Sequence, residues 1–576
     1  MTIANYNNQT LMDTTGLTED QALAARTLDR YKAEGEKLTA LLGYAGTGKT
    51  ELTLRRIQHV IDTRSNPRIL VVAPTHKALS NLWNKAKYRV TESPYYTPIQ
   101  FSDKLGAQLL DEPDNPLPNC QVVYFTVAQA LGKERVEDDE TGETYFAVAK
   151  EPEIEDFFTH CFIDEISMVG ASDWALLQQY VFPHCHTEVV GDPAQLPPVN
   201  DGAESPAFKI PHKATLTHVV RNAGGILKNS FQFREAMQKP GILTPLIDEY
   251  DNVIQKDWEP FIDEFVRLHQ AGYNCRAITY RNSERAKLNT ILRERILGRN
   301  IREFEPGEKI TAVNTTPIKQ PNLKTKYGIN NFSLYSTQEG DVESVQLCEY
   351  EIPDHYRNPE YFDKRFSSFP RKFDHDRLYY WFLEVMTDEG DLMPVRQIHQ
   401  DSRDDLQRMR DSLRTWIKQA KKHRDDNDAV RHNIDQLNME IQNTQDTQAL
   451  ESLKKRKDKQ EAKYQYKDSQ NPQYERFMNN PKQHAKRLIS LNDFFHQLQY
   501  SYAITTHKSQ GSTYDYAFLH SDDLYTNSKK MECLQLLYVA VTRPSEGIYF
   551  CEDRSPSMLT EEESQAIEQE ANTNNP

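Results

Sequence analysis

Eight residues constrain this chain more than any others: Gly43-Tyr44-Ala45-Gly46-Thr47-Gly48-Lys49-Thr50. They follow the apolar run Leu38-Thr39-Ala40-Leu41-Leu42, which reads as a buried strand. G-x-x-x-x-G-K-T between a strand and a helix is a phosphate-binding loop. Its backbone N–H groups, gathered at a helix N-terminus, wrap phosphate oxygens. Lys49 reaches the β- and γ-phosphates, and the Thr50 hydroxyl ligates Mg²⁺. The loop points to an α/β nucleotide fold and makes nucleotide chemistry the first hypothesis.

Two further strand ends agree with it. Cys161-Phe162-Ile163-Asp164-Glu165 is an apolar strand ending in two acids. An Asp at a strand end suits a Mg²⁺–nucleotide site beside the loop Thr, and the adjacent Glu suits polarisation of an attacking water. Thr187-Glu188-Val189-Val190-Gly191-Asp192-Pro193-Ala194-Gln195 is a second short strand, leaving through a Gly-Asp-Pro turn and a Pro-rich exit. That exit places Gln195 where it can touch the γ-phosphate or the water.

Composition narrows the setting. At 576 residues the chain has room for about three or four domains. It holds no apolar run of membrane-spanning length, and Met1 to Asp13 lacks a signal-peptide core. The seven cysteines are odd in number and form no C-x-x-C, which speaks against a disulfide framework or a zinc site and for a reducing, intracellular setting. A net charge of −16 argues against a bulk nucleic-acid coat but leaves room for a local basic groove. Part of that acidity lies in Glu561-Glu562-Glu563 and the residues after it, which read as a solvated tail or a partner-binding one.

Six segments occur in order: GYAGTGKT (43–50), VVAPTHKALS (71–80), FIDEISMV (162–169), EVVGDPAQLPPV (188–199), YAITTHKSQGSTYD (502–515) and LLYVAVTR (536–543). Together they resemble the motif series of superfamily 1 helicases. The APTHKA and THKSQG forms resemble the 5′→3′, RecD-like branch and, within it, the phage Dda type. The resemblance spans roughly residues 17 to 551, nearly the whole chain.

The resemblance implies two RecA-like P-loop motor domains. Residues 1–95 and 154–225 form motor domain 1A, and 96–153 an inserted domain 1B. Residues 226–310 and 488–576 form motor domain 2A, which ends in the acidic tail. Residues 311–487 form domain 2B, an SH3-like β-barrel plus a helical arm at 403–466. It implies ATP and Mg²⁺ as cofactors. Gln21, Gly43, Ala45, Gly46, Thr47, Gly48, Lys49, Thr50 and Gly511 would bind nucleotide, and Thr50 and Asp164 the metal. Lys49, Glu165, Gln195, Arg221 and Arg543 would carry hydrolysis, with both arginines on the second lobe. Gln21 also completes a helix-capping box with Thr18, and both roles can hold at once. Two departures stand out: Val220 replaces the aromatic residue that often stacks on adenine, and Pro544 replaces a small residue.

The DNA path implied by the resemblance runs over Pro74, Thr75, His76, Lys77 and Thr126 in the first lobe. Tyr280, Asn282, Thr505 and His507 continue it in the second. Hydroxyls and backbone N–H groups would hold phosphates while His76 or Tyr280 stacks on bases, a sequence-independent grip. Residues 133–148 alternate about a Glu-Thr-Gly turn and read as a β-hairpin. In the family such a hairpin is the pin that splits the duplex, so Phe146 or Tyr145 would meet the fork; a surface hairpin with its aromatics packed down is the other reading. Leu378–Met386 and Leu392–Ile398 read as a second hairpin about Asp388-Glu389-Gly390-Asp391.

From Arg403 to Tyr466 apolar residues step by threes and fours, first at Leu406, Met409, Leu413, Trp416 and Ala420, then at Val430, Ile434, Leu437 and Ile441. This predicts a helical hairpin that turns at Asp425-Asp426-Asn427-Asp428. Such an arm can brace the pin, bind a replication or repair partner, or project into solvent. The expected activity is an ATP-dependent 5′→3′ DNA helicase acting as a monomer on single-stranded and fork DNA, in the cytoplasm of a bacterial or phage-infected cell. An RNA-directed helicase and a nucleotide-gated scaffold are the alternatives.

Overall fold

A computed structural model describes residues 12–64, 67–90, 121–138, 140–148, 158–198, 204–239, 243–298, 302–318, 324–325, 328–329, 332–353, 356, 376–388, 390–470 and 480–551. The acidic tail lies outside them. Among the described residues no helix is long and apolar enough to cross a membrane.

Two all-parallel sheets form the centre. The first has six strands, in the order Gln121–Thr126, Arg68–Ala73, His160–Ile163, His186–Gly191, Leu38–Gly43, Lys213–Leu216. Parallel strands are covered on both faces and so read as unbroken apolar runs. In Arg68–Ala73, Leu70 and Val72 join one core while Ile69, Val71 and Ala73 join the other. The second sheet runs Ala503–Thr505, Cys275–Thr279, Tyr514–His520, Pro544–Cys551, Val253–Gln255. Helices Trp258–Gln270 and Asn282–Leu297 cover one face, and Gly224–Gln238 and Lys530–Val541 the other. These sheets are the two expected α/β lobes.

The expected boundaries shift in two places. Gln121–Thr126, assigned to the inserted domain 96–153, is an edge strand of the first sheet in register with Arg68–Ala73. Its residues Val122 to Phe125 are all buried, which an edge of an inserted domain does not require. At the other end, Leu498–Tyr500 still pairs with Lys309–Ala312. The chain therefore returns to the second parallel sheet only at Ala503.

Between these points lies a five-stranded antiparallel sheet, ordered Leu392–Ile398, Arg377–Thr387, Glu339–Glu351, Lys309–Ala312, Leu498–Tyr500. The hairpin expected about Asp388 is its first pair. The helical arm follows as Arg403–Asn443 and Thr447–Gln470. Its turn comes at 444–446 and not at the Asp cluster, because the first helix runs on for 41 residues. Asp and Asn cost only tenths of a kcal/mol in a helix interior, and no Gly or Pro is present to stop it. Leu406, Met409, Leu413, Trp416 and Ala420 pack on Leu488 and Leu491 of helix Pro481–Phe494. Of the distal stripe only Leu437 is fully buried.

Candidate functional site

The phosphate loop leaves Leu38–Gly43 and ends in helix Lys49–Thr63. Gly46 and Gly48 have φ of +78° and +80°, a left-handed backbone that only glycine adopts freely. The loop faces a cavity of about 420 Å³ between the two parallel sheets. Ala45, Gly46, Gly48, Lys49, Thr50, Asp164, Glu165, Gln195, Arg221, Gly511 and Arg543 all line it. Gly43 and Thr47 shape the loop from behind: a Cβ on Gly43 would stand 2.9 Å from Thr47 Oγ1 and from Leu216 Cβ. Lys49 Nζ donates to the carbonyls of Gly43 and Tyr44, both at 2.9 Å.

Gln21 closes the loop from outside, its Nε2 donating to the Thr47 carbonyl at 3.0 Å. The Thr18–Gln21 capping box is also present, so the helix-cap reading holds structurally. Val220 lies half-exposed on the cavity rim.

Asp164 and Glu165 extend from the end of His160–Ile163. Burial is the main cause raising both carboxyls above their ordinary values; for Glu165 the neighbouring Asp164 adds to it, and Arg543 and Lys49 oppose it. Glu165 has a φ of +50°, uncommon for a non-glycine residue, which turns its side chain into the cleft. Two desolvated carboxyls and the Thr50 hydroxyl line the same cavity, and all are hard oxygen donors of the kind Mg²⁺ takes. Thr50 and Asp164 therefore fit the ion.

Opposite them stand the arginines. Arg543, at the end of helix Lys530–Val541, donates to the carbonyls of Val539 and Ser512. Arg221 donates to Thr513 Oγ1 at 3.0 Å and to the Thr542 carbonyl at 3.1 Å. Burial, and then Arg543 beside it, lowers Arg221 to about 10. The resemblance put both arginines on the second lobe, but Arg221 stands between the lobes. It lies on the connection from Lys213–Leu216, the edge of the first sheet, to helix Gly224–Gln238 of the second lobe, and its N–H donates to the Gly46 carbonyl. The chain crosses between lobes at this arginine, so both lobes hold it.

Gln195 is held from the second lobe on two sides. Gln510 Nε2 donates to Gln195 Oε1 (3.0 Å) and to Ser167 Oγ (3.2 Å), and Gln535 Nε2 donates to the Gln195 carbonyl. Gln510 and Gln535 were not singled out in the sequence, although Gln510 falls inside the quoted THKSQG segment. Lys85 also lines the cavity from outside the quoted segments, and Ser512 and Thr513 line it from within the 502–515 segment.

The expected DNA-path residues gather at the carboxyl ends of adjacent strand pairs. Pro74 to Lys77 follow Arg68–Ala73, and Thr126 ends the neighbouring strand, with Ala73 opposite Thr126. Tyr280 and Asn282 follow Cys275–Thr279, while Thr505 ends its neighbour, with Thr279 opposite Thr505, and His507 follows. Thr75 accepts from Ala78 N at the start of helix His76–Val90, and Thr126 caps the short helix Val127–Ala130 through Gln129 N. His76 is buried, with its ring face stacked on Tyr335 at 4.2 Å and 9°. Lys77 Nζ bridges Glu339 (3.1 Å) and Asp388 (2.9 Å) of the antiparallel sheet. In this state the second lobe's insertion occupies both side chains.

The hairpin is Lys133–Glu137 paired with Thr144–Val148. Tyr145 and Phe146 are 52% and 53% exposed, so they are not packed down on the first lobe. At its foot Lys133 contacts Asp173 of the first lobe, and at mid-strand Arg135 makes a two-pronged contact with Asp493 of helix Pro481–Phe494, at 2.5 and 3.2 Å. Its acidic turn faces the arm, with Glu140 3.3 Å from Lys421 and 3.9 Å from Arg424.

A family model for an AAA domain matches residues 30–201, and one for a UvrD-like helicase C-terminal domain matches residues 500–551. An uncharacterized protein of Acanthamoeba polyphaga mimivirus is 23% identical over 92% of this chain and 99% of its own length. The ATP-dependent DNA helicase dda of Enterobacteria phage T4 is 23% identical over 58% of this chain and 68% of its own. Among solved structures, Pif1 helicase from Candida albicans is 12% identical over 97% of this chain and 99% of that one, with a TM-score of 0.38. Pif1 helicase from Bacteroides in complex with ADP-AlF3 and ssDNA is 13% identical over 98% of each, with a TM-score of 0.34. These overlaps are loose, and the assignment stands on the sequence matches and the ordered motifs. Those motifs converge on one cleft between two parallel-sheet lobes, and the chain belongs to the superfamily 1 helicases, nucleotide-driven motors, close to the Dda type.

Proposed function

We propose that this chain is an ATP- and Mg²⁺-dependent DNA helicase that moves 5′→3′ along single-stranded DNA and opens the duplex at a fork. The observation that carries the reading is the cleft itself, where Lys49, Glu165, Gln195, Arg221 and Arg543 face one cavity from both sides. The phosphate loop binds the phosphates, with Lys49 on the β- and γ-oxygens. Gln21, bonded to the loop at Thr47, would read the adenine. Mg²⁺ held by Thr50 and Asp164 would neutralise phosphate charge. Glu165 accepts the proton of the attacking water, Gln195 orients that water, and the two guanidiniums stabilise charge that develops on the transferring group.

A binder has no need of two arginines that face the same phosphate site, which disfavours the scaffold reading. The motion follows from the same arrangement. Nucleotide joins the lobes across the cleft and hydrolysis releases them, so the strand contacts at the two sets of strand ends alternate. These contacts suit a backbone grip, and the similarity to a phage DNA helicase supports DNA as the track. The exposed Tyr145 and Phe146, on a hairpin anchored at its foot, support the pin reading.

The deciding experiment is unwinding of matched forks with a 5′ DNA, 3′ DNA or 5′ RNA tail, with ATP and Mg²⁺. Unwinding from the 5′ DNA tail alone is expected. Unwinding from the 3′ tail overturns the polarity, and preference for the RNA tail overturns the substrate. Strand-stimulated ATP hydrolysis with no separation on any fork leaves only a translocase.

A further inference from the structure

One buried cluster in the cleft wall has no part in the chemistry above. Tyr538, on helix Lys530–Val541 of the second lobe, is 1% exposed and reaches across to the first lobe. Its hydroxyl accepts from the Ala45 N–H of the phosphate loop at 2.8 Å and donates to Asp192 Oδ2 at 2.6 Å. Asp192 is fully buried, and its Oδ1 accepts from Arg234 at 2.6 Å and from the Ala194 N–H at 3.0 Å. Arg234, on helix Gly224–Gln238, closes the ring by lying 3.7 Å over the face of Tyr44, the second residue of the phosphate loop. It is also 3.2 Å from the Tyr538 hydroxyl.

A phenol has one proton to give and two lone pairs to offer. All three are used here, so Tyr538 cannot shift without breaking a buried bond to the loop or to Asp192. Asp192 in turn fixes the turn that presents Gln195, whose N–H donates to the Asp192 carbonyl at 3.1 Å. Arg543 lies five residues beyond Tyr538, just past the end of the same helix.

We propose that Tyr538, Asp192 and Arg234 are positioning residues that lock the phosphate loop, the Gln195 turn and the Arg543 helix into one unit, so that the arginine and the water-orienting glutamine reach the γ-phosphate together. The inference rests on the cleft's being an ATP hydrolysis site. None of the three lines the nucleotide cavity, so they act through their neighbours. Losing the relay impairs turnover more than nucleotide binding.

The test is Tyr538→Phe in the full chain, which keeps the ring and removes only the hydroxyl. Strand-stimulated kcat is expected to fall about 10-fold or more, while the affinity for a fluorescent ADP changes by less than about 3-fold. Asp192→Asn should give a similar loss, and the double variant should lose little more than either alone, because residues acting as a unit are not additive. Arg234→Gln supplies the same readouts should Tyr538→Phe fail to fold, and Arg234→Lys should restore less than half of the activity because it cannot lie flat on Tyr44. If the wild type hydrolyses ATP and Tyr538→Phe matches it, the relay is refuted. It is equally refuted if the losses multiply, or if kcat falls only in step with the folded fraction in a thermal melt. A wild type that hydrolyses no ATP overturns the underlying reading instead.

Discussion

The nucleotide cleft and the hairpin–arm contact both join elements from distant parts of the chain, yet they are built oppositely. In the cleft the charged groups are desolvated, held by fixed backbone and buried amides, and each is there for its chemistry. At the hairpin tip the charges are exposed: Glu140 is 52% accessible and Lys421 28%. Desolvated charges act strongly on one another because the local dielectric is low, whereas exposed pairs are screened by water and salt. A superfamily 1 motor thus has one region that tolerates almost no substitution and one where the effect depends on how deep each contact lies.

The largest effect belongs to the cleft. Lys49→Ala removes the loop side chain proposed to meet the β- and γ-phosphates, and strand-stimulated ATP hydrolysis should fall at least about 1,000-fold. Measuring phosphate release with saturating single-stranded DNA checks it; retention of even a tenth of the activity breaks the contrast. Glu165→Gln should lose about 100-fold or more in kcat with nucleotide affinity largely kept, since it removes the base and not the cradle. Burial raises the Glu165 carboxyl, and the base works only when ionised. The acid limb of kcat/KM should therefore lie above 4.5, activity being lost as pH falls through the raised value. A pH profile flat down to that value would remove Glu165 from the role.

Legibility followed the same division. The loop, Asp164 and Glu165 were readable because phosphate chemistry dictates residue type and spacing, whereas the arginine segments were readable only through the resemblance. Apolar runs gave the first-sheet strands that begin near Leu38, Cys161 and Thr187, while the second parallel sheet followed only from the resemblance. Gln510, Gln535 and Arg234 were not readable as partners, because a glutamine or arginine on a helix becomes significant only when a fold brings it to a buried carboxylate or carbonyl. The arm's turn was misplaced because Asp425 to Asp428 look like a break in composition while costing a helix little. Arg221 was assigned to one lobe although the chain crosses at it. His76 and Lys77 were read for the strand they could touch, and nothing local reveals that Tyr335, Glu339 and Asp388 would fold over them.

Intermediate effects belong to the hairpin's mid-strand anchor. Asp493 has a side chain only 3% exposed, so Arg135→Ala removes a two-pronged contact that is shielded from water. The hairpin should loosen, and fork unwinding should drop about 10-fold while strand-stimulated ATP hydrolysis stays within about 2-fold, since no cleft residue moves. Phe146→Ala should produce the same split with the hairpin still anchored, by removing an exposed ring available to stack at the fork. Equal losses of unwinding and hydrolysis in either variant would return the hairpin to a general structural role.

The smallest effect is expected at the hairpin's tip, and it sharpens the comparison most. An acidic turn is a poor surface to present to DNA, but Glu140 points at Lys421 and Arg424, which makes the acid an attachment to the arm. Exposed pairs of this kind are worth about 0–1 kcal/mol, less in salt. Glu140→Lys should therefore lower unwinding by no more than about 3-fold at low ionic strength, and the loss should fade as salt approaches about 0.3 M, where the screening length shortens. Lys421→Glu combined with Glu140→Lys should recover most of it by restoring one attraction with the signs reversed, although Arg424 then faces a lysine. If the single reversal instead raises unwinding at every salt concentration, the acid acts on DNA and not on the arm, and the tip's negative charge is a barrier to the strand that the helicase would work faster without.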